Sequence, residues 1–235
     1  MAQYLIIGGT RGIGAAISQQ LLNQQQQVFI WARSKPDYSS YPSLHNAVFI
    51  ANNPAEHMPT TDGLPDKLDG VAYCPGSINL KPFARTSAED FLQDFTQNVL
   101  GAVRSLQAVT PLLKKSPQAS VVLFSSVAAQ VGMPFHASIA SSKAAIEGLV
   151  RSLACEWAPG IRVNGIAPSL TDTSLAEKLL TTPEKRAAAE KRHPLNKIAS
   201  AEEIAALAAF LLTPQASFIS GQILTADGGL SRLKP

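Results

Sequence analysis

The residues with the clearest chemical potential are the glycines near the start of the chain, in the run 8–14 (GGTRGIG). The run follows the apolar segment Tyr4–Ile7 and leads directly into a helical pattern. Glycines at such a turn let the backbone approach a pyrophosphate, whose charge the first N–H groups of the helix can bind. An empty structural turn is the alternative interpretation. The position between strand and helix favours dinucleotide binding. The contacts expected from this loop are Gly8, Thr10, Arg11, Gly12, Ile13 and Gly14.

The elements that must position this loop alternate along the chain between short apolar runs and longer amphipathic stretches. The strand candidates are Tyr4–Ile7, Val28–Trp31, Ala47–Ile50, Gly70–Cys74, Ser120–Phe124, Arg162–Ala167 and Gln222–Ala226. The helix candidates are Ile13–Gln24, Ser87–Lys114, Ala140–Trp157 and Ser200–Leu212. Several strand candidates are apolar on both faces, as parallel strands covered by helices on each side must be. The alternation predicts one α/β domain over residues 1–235, with a Rossmann-like, doubly wound parallel sheet of about seven strands.

Local signals at the ends of these elements sharpen the prediction. Two helices are expected to begin with capping boxes, at Ser87 with Asp90 and at Ser200 with Glu203. Two connections, 34–46 and 52–68, contain prolines and are expected to lack an α-helix.

Composition excludes several classes of protein. The 235 residues are 46% hydrophobic and 16% charged, which suffices for a full core and argues against disorder. The net charge is 20 − 17 = +3, with no basic run longer than two residues and no apolar run of membrane-spanning length. We therefore expect neither a nucleic-acid nor a membrane partner. Cys74 and Cys155 stand in apolar surroundings, which predicts two buried thiols and a cytoplasmic protein.

The glycine spacing is G-x-x-x-G-x-G, and here the sequence resembles the classical short-chain dehydrogenase/reductase family over nearly its whole length. The other segments that carry the resemblance are Asn98–Gly101, Phe124–Ala128, Ser142–Ala145, Arg162–Pro168 and Asp227–Gly229. The family resemblance implies a nicotinamide cofactor and a small-molecule substrate. It also implies a homo-oligomer, tetramer or dimer, because the family pairs its long helices across a two-fold axis.

The end of the second strand indicates which nicotinamide cofactor is used. Ala32 stands where NAD-selective members of the family carry Asp, which binds the ribose 2′-hydroxyl. Arg33 can bind a 2′-phosphate, and Arg11 resembles a second basic residue of NADP-preferring relatives. Two ordinary surface arginines are the alternative, but both features favour NADP(H). Further cofactor contacts implied by the resemblance are Ser34, Asn52, Pro75, Gly76, Lys143, Pro168 and Thr173.

The family's chemistry uses Asn, Ser, Tyr and Lys, and the resemblance carries three of these over as Asn98, Ser126 and Lys143. In the family, Ser polarises the substrate carbonyl, Asn orders a proton-relay water, and Lys lowers the pKa of Tyr and binds the nicotinamide ribose. The Tyr is expected four residues before the Lys, one helical turn away. That residue is Ile139, which has no proton to transfer.

Three explanations of this departure remain open. Another side chain supplies the proton: His136 lies seven residues before Lys143, the spacing at which divergent enoyl-thioester reductases of the family place their Tyr, and Ser138 is a weaker candidate. Alternatively, the proton comes through water, which suits reduction of a conjugated double bond. In the third, the protein binds NADP(H) without turnover, as a silent subunit or sensor. His136 also reads as a polar loop residue after Pro134.

The stretch Thr171–Lys197 matches the family's substrate lid. Its six basic residues outnumber its four acidic ones, an excess of +2. The excess is compatible with a phosphopantetheine or acidic substrate, but a solvated helix face is the favoured explanation.

Overall fold

The computed structural model describes residues 1–234 and shows a central sheet flanked by helices on both faces. The strands are β1 (Gln3–Ile7), β2 (Gln27–Ala32), β3 (Val48–Ala51), β4 (Gly70–Tyr73), β5 (Ala119–Phe124), β6 (Ile161–Pro168), β7 (Thr171–Asp172), β8 (Ala199–Ser200) and β9 (Ile223–Ala226). The α-helices are α1 (Gly12–Asn23), α2 (Ala88–Phe95), α3 (Gly101–Leu113), α4 (Ala137–Trp157), α5 (Pro183–Lys191) and α6 (Ala201–Leu212).

The sheet is parallel throughout, with seven strands in the order β3-β2-β1-β4-β5-β6-β9. The strand order reverses direction between β1 and β4, so the connections after these two strands leave on opposite sides of the sheet. Such a point opens a crevice at the carboxyl ends of the strands, where doubly wound proteins bind their ligands. The predicted doubly wound α/β fold is therefore confirmed.

The core lies on both faces of this sheet, because successive side chains of a strand point to opposite sides. Ile6 and Ile30 pack on one face, in a cluster that includes residues of α1 and α6. Leu5 and Trp31 pack on the other face with residues of α3 and α4. This two-sided burial is why the central strands read as nearly continuous apolar runs.

The predicted elements agree with the structure at most boundaries. Both capping boxes form, at Ser87 and Ser200. Helix α4 begins at Ala137, three residues before the expected start. The predicted helix over 87–114 is divided into α2, a π-helical turn at Thr96–Leu100, and α3. The paired two-residue strands β7 and β8 were not expected, since two residues carry no periodic signal.

The connections also behave as expected, whereas the thiols do not. Residues 34–46 contain only a short 3₁₀ helix, Pro42–Asn46, and residues 52–68 contain no helix. The prediction of two buried thiols is wrong, because Cys155 lies on an outward face of α4 and is exposed, while Cys74 is partly buried. Within residues 1–234, no helix is both long and apolar enough to cross a membrane.

Candidate cofactor and catalytic site

The glycine-rich loop joins β1 to α1 and has a conformation that side chains would obstruct. Gly8 and Gly12 have φ angles of +75° and +53°, in the left-handed region that favours glycine. A Cβ atom on Gly14 would lie 2.3 Å from the carbonyl oxygen of Gly8. Arg11 precedes the helix without capping it through its side chain. The first N–H groups of α1 therefore have no side-chain cap and form the kind of site that binds anions.

Two residues expected to contact the cofactor lie against this loop. A Cβ atom built on Gly8 would be 3.2 Å from the ring of Pro75, which follows β4. A Cβ atom on Gly12 would be 3.4 Å from the methyl group of Thr173, which follows β7. The loop is thus flanked by both segments, and Pro168, the last residue of β6, ends at the same edge of the sheet. Thr10 is buried and Ile13 partly buried.

The residues expected around the adenosine lie at the ends of β2 and β3. Arg11, Arg33 and Ser34 are all exposed. The N–H of Asn52 donates to the carbonyl of Ala32 at 3.0 Å, which places Asn52 beside the strand end that carries Arg33. The side-chain Oδ1 of Asn52 is buried and has no hydrogen-bond partner within the chain. It is an acceptor available to a donor such as an amino group.

Ser126 and Lys143 are held together by the contact between the end of β5 and α4. The Lys143 ammonium donates to the carbonyl oxygen of Phe124 at 2.8 Å. The hydroxyl of Ser125 donates to the carbonyl of Lys143 and to the Glu147 carboxylate, at 3.2 and 2.9 Å. Ser126 follows at once, partly buried, and its hydroxyl accepts from the N–H of Ala128. These hydrogen bonds therefore fix the end of β5 against α4 at the positions of Ser126 and Lys143, the two expected catalytic residues.

Asn98 lies in the π-helical turn between α2 and α3. Its Nδ2 donates to the Asp94 carbonyl at 2.8 Å and to the Ser77 hydroxyl at 2.9 Å, while its Oδ1 is buried without a partner. A Cβ atom on Gly76 would lie 3.6 Å from this Oδ1 and 3.7 Å from the Lys143 nitrogen. Asn98, Gly76 and Lys143 therefore meet in one place. π-Helical turns are frequent at functional sites because they redirect a side chain.

The residue at the expected tyrosine position and the two side chains considered as proton donors lie near the start of α4. Ile139 is buried, one helical turn before Lys143. His136 precedes the first residue of the helix, and its Nδ1 lies 2.7 Å from the carbonyl of Pro134, so Nε2 is the nitrogen left free. Ser138 is buried and donates to the Asp94 carboxylate at 2.6 Å. Its hydroxyl proton is already engaged, which makes it a poor donor to a substrate.

Burial dominates the electrostatics of this site. The pKa of Lys143 falls from 10.5 to about 8, chiefly because burial disfavours the charged form, and Cys74 and Asp94 oppose the change. Burial also raises the pKa of the Cys74 thiol to about 12, an effect that Lys143 partly offsets. The thiol is therefore neutral near pH 7. Tyr73, the last residue of β4 and the one before Cys74, has a raised pKa for the same reason and donates to the carbonyl of Gln97.

The segment expected to form a lid, Thr171–Lys197, contains β7 and α5 and ends just before β8. It is joined to the sheet by His193, whose Nδ1 bonds the Ala189 carbonyl at 2.8 Å and whose Nε2 accepts from the Ser169 hydroxyl at 2.9 Å. Arg186 pairs with Asp172 at 2.8 Å within the same segment. A cavity of about 420 Å³ lies beside this junction, bordered by Ser169 and His193 but not by Ser126 or Lys143. This cavity is therefore separate from the site described above.

The parallel sheet, with a glycine-rich loop at its reversal point, has the architecture of dinucleotide-binding α/β proteins, and comparison with known proteins identifies the family. A family model described as "Enoyl-(Acyl carrier protein) reductase" matches residues 8–231. A tropinone reductase homolog from Arabidopsis thaliana is 34% identical, over 97% of this chain and 92% of its own length. Another from Datura stramonium is 32% identical, over 96% of this chain and 90% of its own length. The chain belongs to the classical short-chain dehydrogenase/reductase family.

Solved structures agree with this assignment. A short-chain dehydrogenase family protein from Francisella tularensis superposes with a TM-score of 0.90 at 28% identity, covering 99% of this chain and 100% of that one. A putative 2-deoxy-D-gluconate 3-dehydrogenase from Agrobacterium tumefaciens, with bound NADP, superposes with a TM-score of 0.88 at 28% identity. That match covers 97% of this chain and 96% of the other.

Sequence reasoning missed two residues of the site, Ser77 and Asp94. Ser77 bridges Asn98 and Asp94, and the Asp94 carboxylate also binds Ser138. Asp94 stands in an amphipathic helix where an acidic residue ordinarily faces solvent. The sequence contains one weak indication that Asp94 belongs to the site: it precedes Asn98 by one helical turn and so lies on the same face of the helix.

Proposed function

We propose that this chain is an NADPH-dependent oxidoreductase that reduces a carbonyl group, or a double bond conjugated to one, by hydride transfer. The observation that carries the proposal is the convergence of Asn98 and Lys143 at Gly76, beside a glycine-rich loop at the reversal point of the sheet. Lys143 also binds the carbonyl of Phe124, two residues before Ser126. The reductase relatives and family model support a reduction. It is proposed to act in the cytoplasm as a homodimer or homotetramer.

Two features of the described residues fit NADP(H). The loop has no room for a side chain at Gly8 or Gly14, and it leaves the start of α1 without a side-chain cap, as pyrophosphate binding requires. The unpartnered Oδ1 of Asn52 is an acceptor suited to the adenine amino group, and Arg33 is exposed at the adjoining strand end. A guanidinium in that position attracts a 2′-phosphate, and Ala32 offers no carboxylate to repel it. The solved relative with bound NADP is consistent with this choice.

The residues of the site divide the remaining work. When bound, NADPH supplies the hydride from nicotinamide C4. Lys143 is proposed to bind the ribose hydroxyls, and Thr173 and the segment at Pro168 are proposed to bind the nicotinamide end. Gly76 is proposed to let the backbone approach the cofactor closely between these two contacts. Ser126 is proposed to donate a hydrogen bond to the substrate oxygen and so stabilise the negative charge that develops there.

The proton source is the point at which this chain departs from its family. Ile139 is proposed to occupy the position of the family's tyrosine. The free Oδ1 of Asn98 and the Lys143 ammonium, which converge at Gly76, support a water as the immediate donor. A water-delivered proton suits an enolate, which is why a conjugated double bond is favoured over an isolated ketone. A substrate lid over residues 171–197 completes the proposed site.

The test is NADPH oxidation by the purified protein against ketones, keto-thioesters and enoyl-thioesters, with an Ile139→Tyr variant measured beside it. We expect turnover of the conjugated substrates by the wild type, and ketone reduction raised by about 10²–10⁴-fold in the variant, the usual contribution of a general acid. Ile139→Phe is the matched control, since it adds the ring without the hydroxyl.

His136→Ala separates the two remaining proton sources. It leaves the rate unchanged if water supplies the proton and reduces it sharply if the imidazole does. Tight NADPH binding with no turnover by either the wild type or Ile139→Tyr, across the whole panel, would contradict the proposal and indicate a silent, cofactor-binding protein.

A further inference from the structure

A buried carboxylate beside the candidate site has no role in the chemistry described so far. Asp94, in α2, is 2% exposed. Its Oδ1 accepts from the Ser77 hydroxyl and its Oδ2 from the Ser138 hydroxyl, both at 2.6 Å. Among residues 1–234, no lysine, arginine or histidine nitrogen lies within 4.0 Å of it. A charge buried this deeply is costly unless an opposite charge compensates it.

Lys143 is the matching charge of opposite sign. Its side chain is also buried, and its ammonium donates to a neutral acceptor, the carbonyl of Phe124. The Ser77 hydroxyl donates to Asp94 and accepts from Asn98, so it links the Asp94 carboxylate to the Asn98 amide. Gly76, the preceding residue, brings Asn98 Oδ1 and the Lys143 nitrogen to the same point. Asn98 thus lies between two buried groups of opposite charge: it is connected to Asp94 through Ser77 and converges with Lys143 at Gly76.

The other titratable groups near Lys143 do not supply this compensation. Cys74, which directly follows β4, interacts electrostatically with Lys143, but its raised pKa keeps the thiol neutral at physiological pH. Glu147, one turn further along α4, is held by Ser125 and Gln130. Asp94 faces Lys143 from α2 and is one of the two groups that oppose the loss of its proton.

We propose that Asp94 is a positioning residue whose negative charge, held by Ser77 and Ser138, keeps Lys143 in its ammonium form within a site that has isoleucine in place of a tyrosine. An ammonium can hold ribose hydroxyls and polarise a water, whereas a neutral amine does neither well. The consequence for cofactor binding and catalysis rests on the proposed function. The electrostatic coupling of the two side chains does not.

The coupling is measured in the ligand-free protein by ¹³C NMR titration of labelled lysines, with the Lys143 resonance assigned by its loss in Lys143→Met. We expect a wild-type midpoint near pH 8. Asp94→Asn keeps the hydrogen-bond acceptor but removes the charge, and should lower that midpoint by about one pH unit or more. Ser138→Ala, the matched control, removes a hydrogen bond but keeps the charge, and should leave the midpoint close to the wild-type value.

An unchanged Lys143 midpoint in folded Asp94→Asn would overturn the proposal, as would equal shifts in Asp94→Asn and Ser138→Ala. Should Asp94→Asn fail to fold, the triple variant Asp94→Leu, Ser77→Ala, Ser138→Ala replaces the whole cluster by apolar groups, a change that is often tolerated. The same lowered midpoint is expected there.

A second readout separates this proposal from the proposed function. At pH 8 the affinity for NADPH should fall several-fold in Asp94→Asn and stay near the wild-type value in Ser138→Ala. A wild-type protein that binds no NADPH would contradict the proposed function while leaving the Lys143 titration fully interpretable. A Lys143 midpoint that does not respond to Asp94 would contradict the coupling even in an active enzyme.

Discussion

The substitution Gly14→Ala, which adds a single methyl group, tests whether the glycine-rich loop binds the cofactor. The Cβ atom of Gly14→Ala would lie 2.3 Å from the Gly8 oxygen and 2.9 Å from the Gly8 carbonyl carbon. Both are backbone atoms, so no side-chain rotation relieves the contact. Non-bonded heavy atoms settle at roughly 3.5 Å, and the loop must therefore move by about 1 Å.

The magnitude follows from two opposing terms. Overpacking of this kind costs about 1–3 kcal/mol, and alanine regains about 1 kcal/mol over glycine within a helix. The free energy of unfolding should therefore fall by only about 1 kcal/mol. Cofactor binding should suffer more, because a displacement of about 1 Å misaligns the N–H groups that meet the pyrophosphate. Losing one such bond to a charged group costs about 1.5–3 kcal/mol, so the affinity for NADPH should fall at least about tenfold.

The assay combines NADPH fluorescence titration with urea unfolding. Gly160→Ala is the matched control: Gly160 is exposed, and its Cβ would meet only the carbonyl oxygen of Trp157, at an ordinary 3.8 Å. It should bind NADPH and unfold like the wild type. If Gly14→Ala binds NADPH with the same affinity as the wild type, the glycine-rich loop is not the site of cofactor binding.

Three further predictions concern selectivity, pH and assembly. Calorimetry should show NADPH binding at least tenfold tighter than NADH, about 1.4 kcal/mol, and Arg33→Ala should abolish the preference; equal wild-type affinities would contradict this. Because the pKa of Lys143 is lowered to about 8 from 10.5, the folded chain loses this proton before the unfolded chain does. The free energy of unfolding of the wild type relative to Lys143→Met should therefore rise between pH 8 and 10, by at most about 1.4 kcal/mol per pH unit, and a flat difference in urea unfolding would contradict that assignment. Light scattering at micromolar concentration should give the mass of a dimer or tetramer, and a monomeric mass would argue against the proposed assembly.

The fold could be predicted from the sequence because the signals that indicate its elements are local. The apolar run at Tyr4–Ile7, the glycines that follow it and the serine caps at Ser87 and Ser200 each act within a few residues, and all appear as predicted. The thiol prediction failed for a related reason. Apolar neighbours along a helix do not reveal which face a residue occupies, and Cys155 lies on the exposed one.

The polar cluster around Asp94 could not be predicted in the same way. Its hydrogen bonds to Ser77 and Ser138 join residues 17 and 44 positions apart, so the contacts exist only once the sheet has brought β4, α2 and α4 together. The π-helical turn that directs Asn98 has no comparable local signal, because its sequence, TQNVL, is compatible with an ordinary α-helix.

The most direct test of the central claim is hydride transfer itself. NADPH carrying deuterium at nicotinamide C4, prepared separately with each face labelled, is incubated with the protein and a panel of ketones and enoyl-thioesters, and the products are analysed by mass spectrometry. The proposed function predicts deuterium on the reduced carbon of at least one product, from one face of the nicotinamide only. Bound NADPH with no deuterium in any product would contradict it.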